Sequence, residues 1–234
     1  MKGIRLSKAL ASAGVSSRRA AEELIFAGQV TVNKQTILVP QTLVNWGEDE
    51  IRVDGKKIRG PEEKLYFVLN KPEGYLCTAV RHGTFPIALD LFRDVKERLF
   101  TVGRLDRETT GLLLVTNDGH FANKVIHPRA NIEKEYLVKT KSEITHEHLV
   151  RLSEGARVDE KWVRPISVHK VRKGTFKIVV KEGRKHEVRI LSEKAGLKVV
   201  ELKRIRIGSL SLGGLPLGAY RELTPNEREQ LFPS

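Results

Sequence analysis

The sequence predicts an α+β protein in two parts, a small unit that begins with helices and a larger unit of interleaved strands and helices. Three observations carry this. Apolar residues recur at helical spacing between Leu6 and Ala27, alternating runs follow, and Arg59-Gly60-Pro61-Glu62-Glu63-Lys64 forms a polar stretch punctuated by Gly-Pro. With 234 residues the chain has room for one large domain or for a small and a medium one. The expected boundaries are 1–60 for the first unit, 61–64 for a linker and 65–234 for the second unit.

In the first unit Leu6, Leu10 and Ala13 share a helical face that Gly14 ends. Ser16 or Ser17 then caps a second helix, whose Ala20, Leu24 and Ala27 face inward until Gly28. Gln29–Asn33 alternates Val30 and Val32 with polar residues, and 51–58 reads as a hairpin around Asp54-Gly55. The exposed side of the helices gathers Arg5, Lys8, Ser12, Arg18 and Arg19. Residues 1–60 hold ten basic side chains against six acidic ones. Such a face is solvated in any protein, and it also suits a polyanion.

Beyond the linker, Leu65–Leu69 reads as a buried strand and Asn70-Lys71-Pro72-Glu73-Gly74 as a sharp turn. Residues 75–85 read as a flexible loop, with Arg81 and His82 as candidate contacts for a polyanion, and 87–100 has mixed helical spacing. The second unit is organised around Val102–Gly119. There Leu112–Val115 is an apolar run closed by Thr116-Asn117-Asp118-Gly119, the pattern of a strand buried on both faces. Gly103 and Gly111 bracket a polar segment in which Asp106 sits between Arg104 and Arg107. A loop feeding a buried strand holds its side chains against a rigid scaffold, so Asp106 is the first candidate for chemistry.

His120–Ile126 reads as a short helix stopped by Pro128, and Lys134–Val138 as a strand with Tyr136 and Val138 on one face. Thr145–Ser153 is a helix ended by Gly155, and Phe176–Val180 a strand. Glu182–Arg189 turns into a helix whose Val188, Leu191 and Ala195 face inward, which puts Arg189 on about the same side as His186. Val199–Leu202 and Arg204–Ile207 read as two strands and 210–220 as a closing loop. Thr224-Pro225-Asn226-Glu227 is a capping box that starts a last short helix.

Composition narrows the function. The formal charge is +13, with 42 basic residues against 29 acidic ones, which points to a polyanionic partner. No apolar run approaches the ~18 residues that span a membrane and no signal-peptide pattern opens the chain, so nucleic acid is expected rather than a membrane. The single Cys77 excludes an internal disulfide and a cysteine-based metal site, and fits a reducing cytoplasm. His146 and His148 lack i,i+4 spacing and further ligands. No metal and no cofactor are expected.

Gly103-Arg104-Leu105-Asp106, Thr109, Gly111-Leu112-Leu113-Leu114 and Thr116-Asn117-Asp118-Gly119 together resemble the signature of the RsuA/RluB family of ribosomal RNA pseudouridine synthases. The resemblance implies a mixed, mainly antiparallel sheet flanked by helices, and it implies that Asp106 is the catalytic carboxylate. Lys71, Pro72 and Gly74 match a Lys-Pro-x-Gly element that packs beside the catalytic loop. Tyr136 matches a Lys-x-Tyr element whose Tyr stacks on the target uracil. Glu182-Gly183-Arg184-x-His186-x-Val188-Arg189 matches a third motif whose basic residue pairs with the Asp, a role the resemblance gives to Arg189. By the same analogy Arg104 fills the gap left by a flipped base, while Arg184 and Lys185 face RNA.

The first unit is similar to the S4 RNA-binding domain through Arg5-Leu6-Ser7-Lys8-Ala9-Leu10, 15–22 and 28–33. This implies that Arg5, Lys8, Arg18 and Arg19 contact phosphates, which position a protein without reading sequence. The 71–78 run and Asn123-x-x-Ile126-His127-Pro128 lean toward the large-subunit (23S) branch over the small-subunit (16S) branch. The expected protein is a monomer. Two rivals belong to other classes. A non-catalytic S4 protein would leave Asp106, Tyr136 and Arg189 unexplained as a set, and a glycoside hydrolase would need a second carboxylate, for which Glu108 is the near candidate.

Overall fold

The computed structural model describes residues 3–81 and 83–232, so His82 lies outside the described residues. The chain divides into two compact units, one comprising residues up to 64 with Asp94–Arg98, the other Leu65–Arg93 with residues from 99 onward.

In the first unit strand β1 (Ile4–Arg5) leads into helices α1 (Leu6–Ser12) and α2 (Arg18–Phe26), followed by β2 (Val30–Val32), β3 (Gln35–Thr36), β4 (Leu43–Val44), β5 (Ile51–Val53) and β6 (Lys56–Lys57). The Ser17 hydroxyl accepts the Ala20 N–H at 3.1 Å and so satisfies a free amide of the first turn of α2. Four strands pair antiparallel in the order β3-β2-β5-β6, while β1 pairs with β4. Asp54 and Gly55 both take left-handed backbone, the conformation a two-residue hairpin turn requires. Leu6, Leu10, Ile25, Val30 and Ile51 close a core of their own.

The second unit contains β7 (Tyr66–Lys71), β8 (Phe100–Val102), β9 (Thr109–Thr116), α3 (Gly119–Ile126), β10 (Lys134–Thr140), α4 (His146–Glu154), β11 (Ala156–Val158), β12 (Lys161–Val163), β13 (Ser167–Arg172), β14 (Thr175–Val180), α5 (Glu187–Lys194), β15 (Val199–Ile207), β16 (Leu210–Ser211), β17 (Tyr220–Glu222) and α6 (Pro225–Gln230). Its main sheet runs β13-β14-β10-β15-β9-β7-β17, with β8 added on β9 and β16 on β15. The pairings are antiparallel except at one seam. There β9 and β15 run parallel, with Thr109 opposite Leu202 and Gly111 opposite Arg204. Leu112–Val115 are fully buried, as a strand enclosed on both faces must be.

Three expectations need correcting. Residues 87–100 form a 3-10 turn at Ala88–Leu91 and no longer helix, because the Asp90 carboxylate takes the Ile87 N–H at 3.0 Å and closes a local turn. The turn after β7 begins at Pro72, since Asn70 and Lys71 still pair with Leu112 and Gly111. Val199–Ile207 is one strand through Lys203, which stays in register with Leu137 and Thr110. The hairpin β11–β12 and strand β13 are additional to the elements read from the sequence.

Candidate active site

The loop between β8 and β9 carries Asp106, and its shape is set from below. Gly103 turns the chain at φ +72, a backbone that glycine adopts without cost. The Thr109 N–H returns to the Asp106 carbonyl at 3.0 Å. Lys71 is fully buried under the loop, and its ammonium donates to the carbonyls of Pro72 (2.9 Å), Arg107 (3.3 Å) and Thr109 (2.9 Å). Burial draws the Lys71 amine below the ordinary lysine range, and the nearby Cys77, Glu108, Asp106 and Glu73 oppose that shift. The Gly74 N–H reaches the Arg107 carbonyl at 2.8 Å, and the Leu105 N–H reaches the Cys77 sulfur at 3.4 Å. Just beyond the loop, in β9, Gly111 has φ +103, and a Cβ there would lie 2.2 Å from the Arg204 carbonyl oxygen. The close approach of β9 to β15 therefore needs glycine.

Above this loop lies a cavity of about 610 Å³, lined by Arg104, Asp106, Thr109, Tyr136, Arg184, Lys185 and His186 among others. Asp106 stands half-buried at its wall, with Oδ1 3.4 Å from His186 Nε2. Tyr136 is 8% exposed, held in β10 between Ile178 and Arg204. Arg104 and Lys185 are exposed. Arg184 pairs with Glu182 at 2.6 Å. Glu187 is buried, and one of its oxygens takes the Arg184 N–H at 2.7 Å, pinning the loop before α5. Burial pushes the Glu187 carboxyl above its ordinary value, against hydrogen bonds from Arg184 and Gly183.

Arg189 stands apart from the expected pairing. Its guanidinium donates to the Glu108 carbonyl at 3.4 Å, and among the described residues the basic side chain that meets the Asp106 carboxylate is His186. The reason lies in the backbone. Helix α5 starts only at Glu187, and His186 is left-handed (φ 54, ψ 18), so His186 and Arg189 do not share a helical face. Lys71 and Pro72 buttress the loop from outside the cavity lining. In the first unit Arg5, Lys8, Arg18 and Arg19 are exposed on β1, α1 and α2. Among the described residues no group of three His, Cys, Asp or Glu is disposed to hold a metal, and no helix is long and apolar enough to cross a membrane.

Residues 65–194 match the family model described as RNA pseudouridylate synthase, and residues 4–51 match that of the S4 domain. The chain belongs to the RNA pseudouridylate synthase family. It is 40% identical over 233 residues to the ribosomal large subunit pseudouridine synthase B of Bacillus subtilis, covering 97% of this chain and 95% of that one. It is 45% identical to a candidate chloroplast ribosomal large subunit pseudouridine synthase of Arabidopsis thaliana, covering 97% of this chain and 60% of that protein's length. A crystal structure of a pseudouridylate synthase superposes with TM-score 0.70 at 31% identity, covering 97% of this chain and 99% of that one.

For this pseudouridylate synthase two features of the site were beyond sequence reasoning. His186 faces Asp106 only because a left-handed residue precedes α5, and Cys77 lies under the loop through a sulfur contact 28 residues away in sequence. A signal for the Lys71 hub did exist in the Lys-Pro-x-Gly match, which the resemblance places beside the catalytic loop.

Proposed function

We propose that the protein converts a specific uridine of large-subunit (23S) ribosomal RNA to pseudouridine. The observation that carries this is Asp106, whose carboxylate opens into the same cavity as Tyr136 and Arg104 in a chain of this family. The names of the Bacillus and Arabidopsis relatives support the large subunit as the source of the RNA. The reaction breaks the C1′–N1 bond, turns the uracil and joins C1′ to C5. One proton leaves C5 and one arrives at N1, so no group is lost and no oxidant is consumed. A single placed carboxylate and a held base meet that requirement.

Reaching the base costs a few kcal/mol of unstacking. In this reading Tyr136 stacks on the extruded uracil, Arg104 fills the gap it leaves, and Arg184 and Lys185 take neighbouring phosphates. Lys71, Pro72, Gly103, Leu105, Thr109 and Gly111 hold the loop, and Arg189 steadies it through the Glu108 carbonyl. Residues 1–60 dock RNA through Arg5, Lys8, Arg18 and Arg19, residues 61–64 link, and 65–234 carry the chemistry. The protein acts as a monomer in the cytoplasm, which suits a chain whose single cysteine has no internal partner.

Asp106→Asn is close to isosteric. It is expected to lower turnover on ribosomal RNA by about 10³-fold or more while leaving RNA affinity unchanged. Retained turnover overturns the assignment. Mapping pseudouridines in cells lacking the protein is expected to show one site lost from the large-subunit RNA, and a loss confined to 16S RNA would move the substrate to the other branch.

A further inference from the structure

The hairpin β11–β12 carries the most exposed large aromatic ring of the second unit. Trp162 is 64% exposed, while Ala156, Val158 and Val163 turn inward and anchor the hairpin. The turn residues Asp159 and Glu160 are both left-handed, which fixes a tight two-residue connection. Gly155, at φ +83, lets the hairpin close onto the end of α4, where a Cβ would lie 2.1 Å from the Val163 carbonyl oxygen.

Single exposed apolar side chains are common and need no explanation. What distinguishes Trp162 is its surroundings. Its indole N–H donates to the Glu154 carbonyl at 3.2 Å, and the Arg164 guanidinium donates to the same oxygen at 3.1 Å. Two donors on one acceptor set the indole and the guanidinium side by side, with the ring edge pinned and its surface open. Arg157 lies directly opposite Trp162 in the antiparallel pair, so both side chains leave the same face of the hairpin. Among the described residues neither Arg157 nor Arg164 has a carboxylate partner, unlike Arg151, Arg206 and Arg221. The acids Asp159 and Glu160 sit at the tip, which directs a phosphate toward the root of the hairpin.

We propose that this face is a second RNA-docking surface, on which one unpaired base stacks on Trp162 and the flanking phosphates lie on Arg157 and Arg164. The inference rests on the reading of RNA as substrate and adds a contact remote from the reacting uridine. An aromatic ring between unpaired cations is the arrangement that holds single-stranded nucleic acid without reading its sequence. The location supports it. Strand β11 packs against α5, whose first residues line the active-site cavity, and an eight-residue helix is only about 12 Å long.

The sequence has two tryptophans, Trp46 and Trp162, so a Trp46→Phe chain reports on Trp162 alone. Titrating it with a large-subunit ribosomal RNA fragment that contains unpaired nucleotides should quench Trp162 emission. Trp162→Ala should raise the Kd for that fragment about 10-fold, with Trp162→Phe recovering most of the loss. The Arg157→Ala/Arg164→Ala chain should reduce the slope of log K against log salt by about 1–2. Measuring affinity in the Asp106→Asn background separates this test from the catalytic assignment, because a wrong Asp106 shows in turnover and a wrong Trp162 shows in Kd. A Trp162→Ala chain that binds RNA as tightly as its parent, with no quench in the reporter, overturns the proposal. A loss that Trp162→Phe does not repair and that tracks a lower unfolding midpoint overturns it too. So does a quench by RNA-free ribosomal proteins that RNA itself does not produce.

Discussion

Arg5, Lys8, Arg18 and Arg19 stand exposed on a short strand and two helices of a self-contained unit, whereas Asp106 is set over a fully buried lysine in a loop that borrows support from other segments. The first arrangement is additive. Each cation is held by its own strand or helix, and losing one leaves the others in place. The second is a network in which one ammonium ties together the carbonyls of 72, 107 and 109. Buried polar groups without partners are expensive, so the network is far less forgiving.

Substitutions can break or sharpen this contrast. Gly111→Ala sets a methyl 2.2 Å from backbone at φ +103, and neither β9 nor β15 can give way at the parallel seam. We expect a loss of about 3–5 kcal/mol in urea unfolding of the second unit. A change under about 1 kcal/mol would show the seam to be pliable. Lys71→Met keeps the volume but takes the ammonium from three carbonyls, of which that of Arg107 keeps the Gly74 N–H, at a cost of about 2–4 kcal/mol and with lower turnover as the Asp106 loop loosens. Unchanged stability would mean that water replaces the ammonium, and the contrast would fail.

Replacing Arg5, Lys8, Arg18 and Arg19 together by Ala should leave the unfolding midpoint of the first unit in place. The salt slope of RNA binding should fall by about 3. A collapse of that unit would show its charges to be structural. The smallest effect belongs to α6, where Arg221 grips Glu227 with two hydrogen bonds of 2.6 and 2.8 Å and holds its carboxyl down at about 2. A depressed carboxylate stabilises the fold above its ordinary value near 4.5, and that contribution is lost as pH falls toward 2. Glu227→Gln should cost about 0.5–1 kcal/mol near neutrality, with the difference vanishing in acid.

The same contrast explains what could be read from the sequence. Leu6, Leu10 and the Ser17 cap write the helices of the first unit in local periodicity, and Leu112–Val115 announces its strand. Local patterns end where contacts become distant. The pairing of Gly111 with Arg204 and the meeting of Asp106 with His186 join residues about ninety and eighty positions apart, and no periodicity encodes them. The pairing of Arg189 with Asp106 comes from the family resemblance, and the helical spacing that puts Arg189 beside His186 is cancelled by the left-handed backbone of His186. The 156–172 region gives no comparable local signal, because β11 and β12 are three residues each and β13 is exposed along most of its length.

The parallel seam has a consequence for the order of events during synthesis. The core of the first unit is closed by Val53, so it can form as soon as that stretch has emerged. The cavity wall, by contrast, needs β15 laid beside β9, a junction that waits for residues beyond 200. A ribosome making this protein thus releases its first folded piece well before the machine it serves has a working mouth.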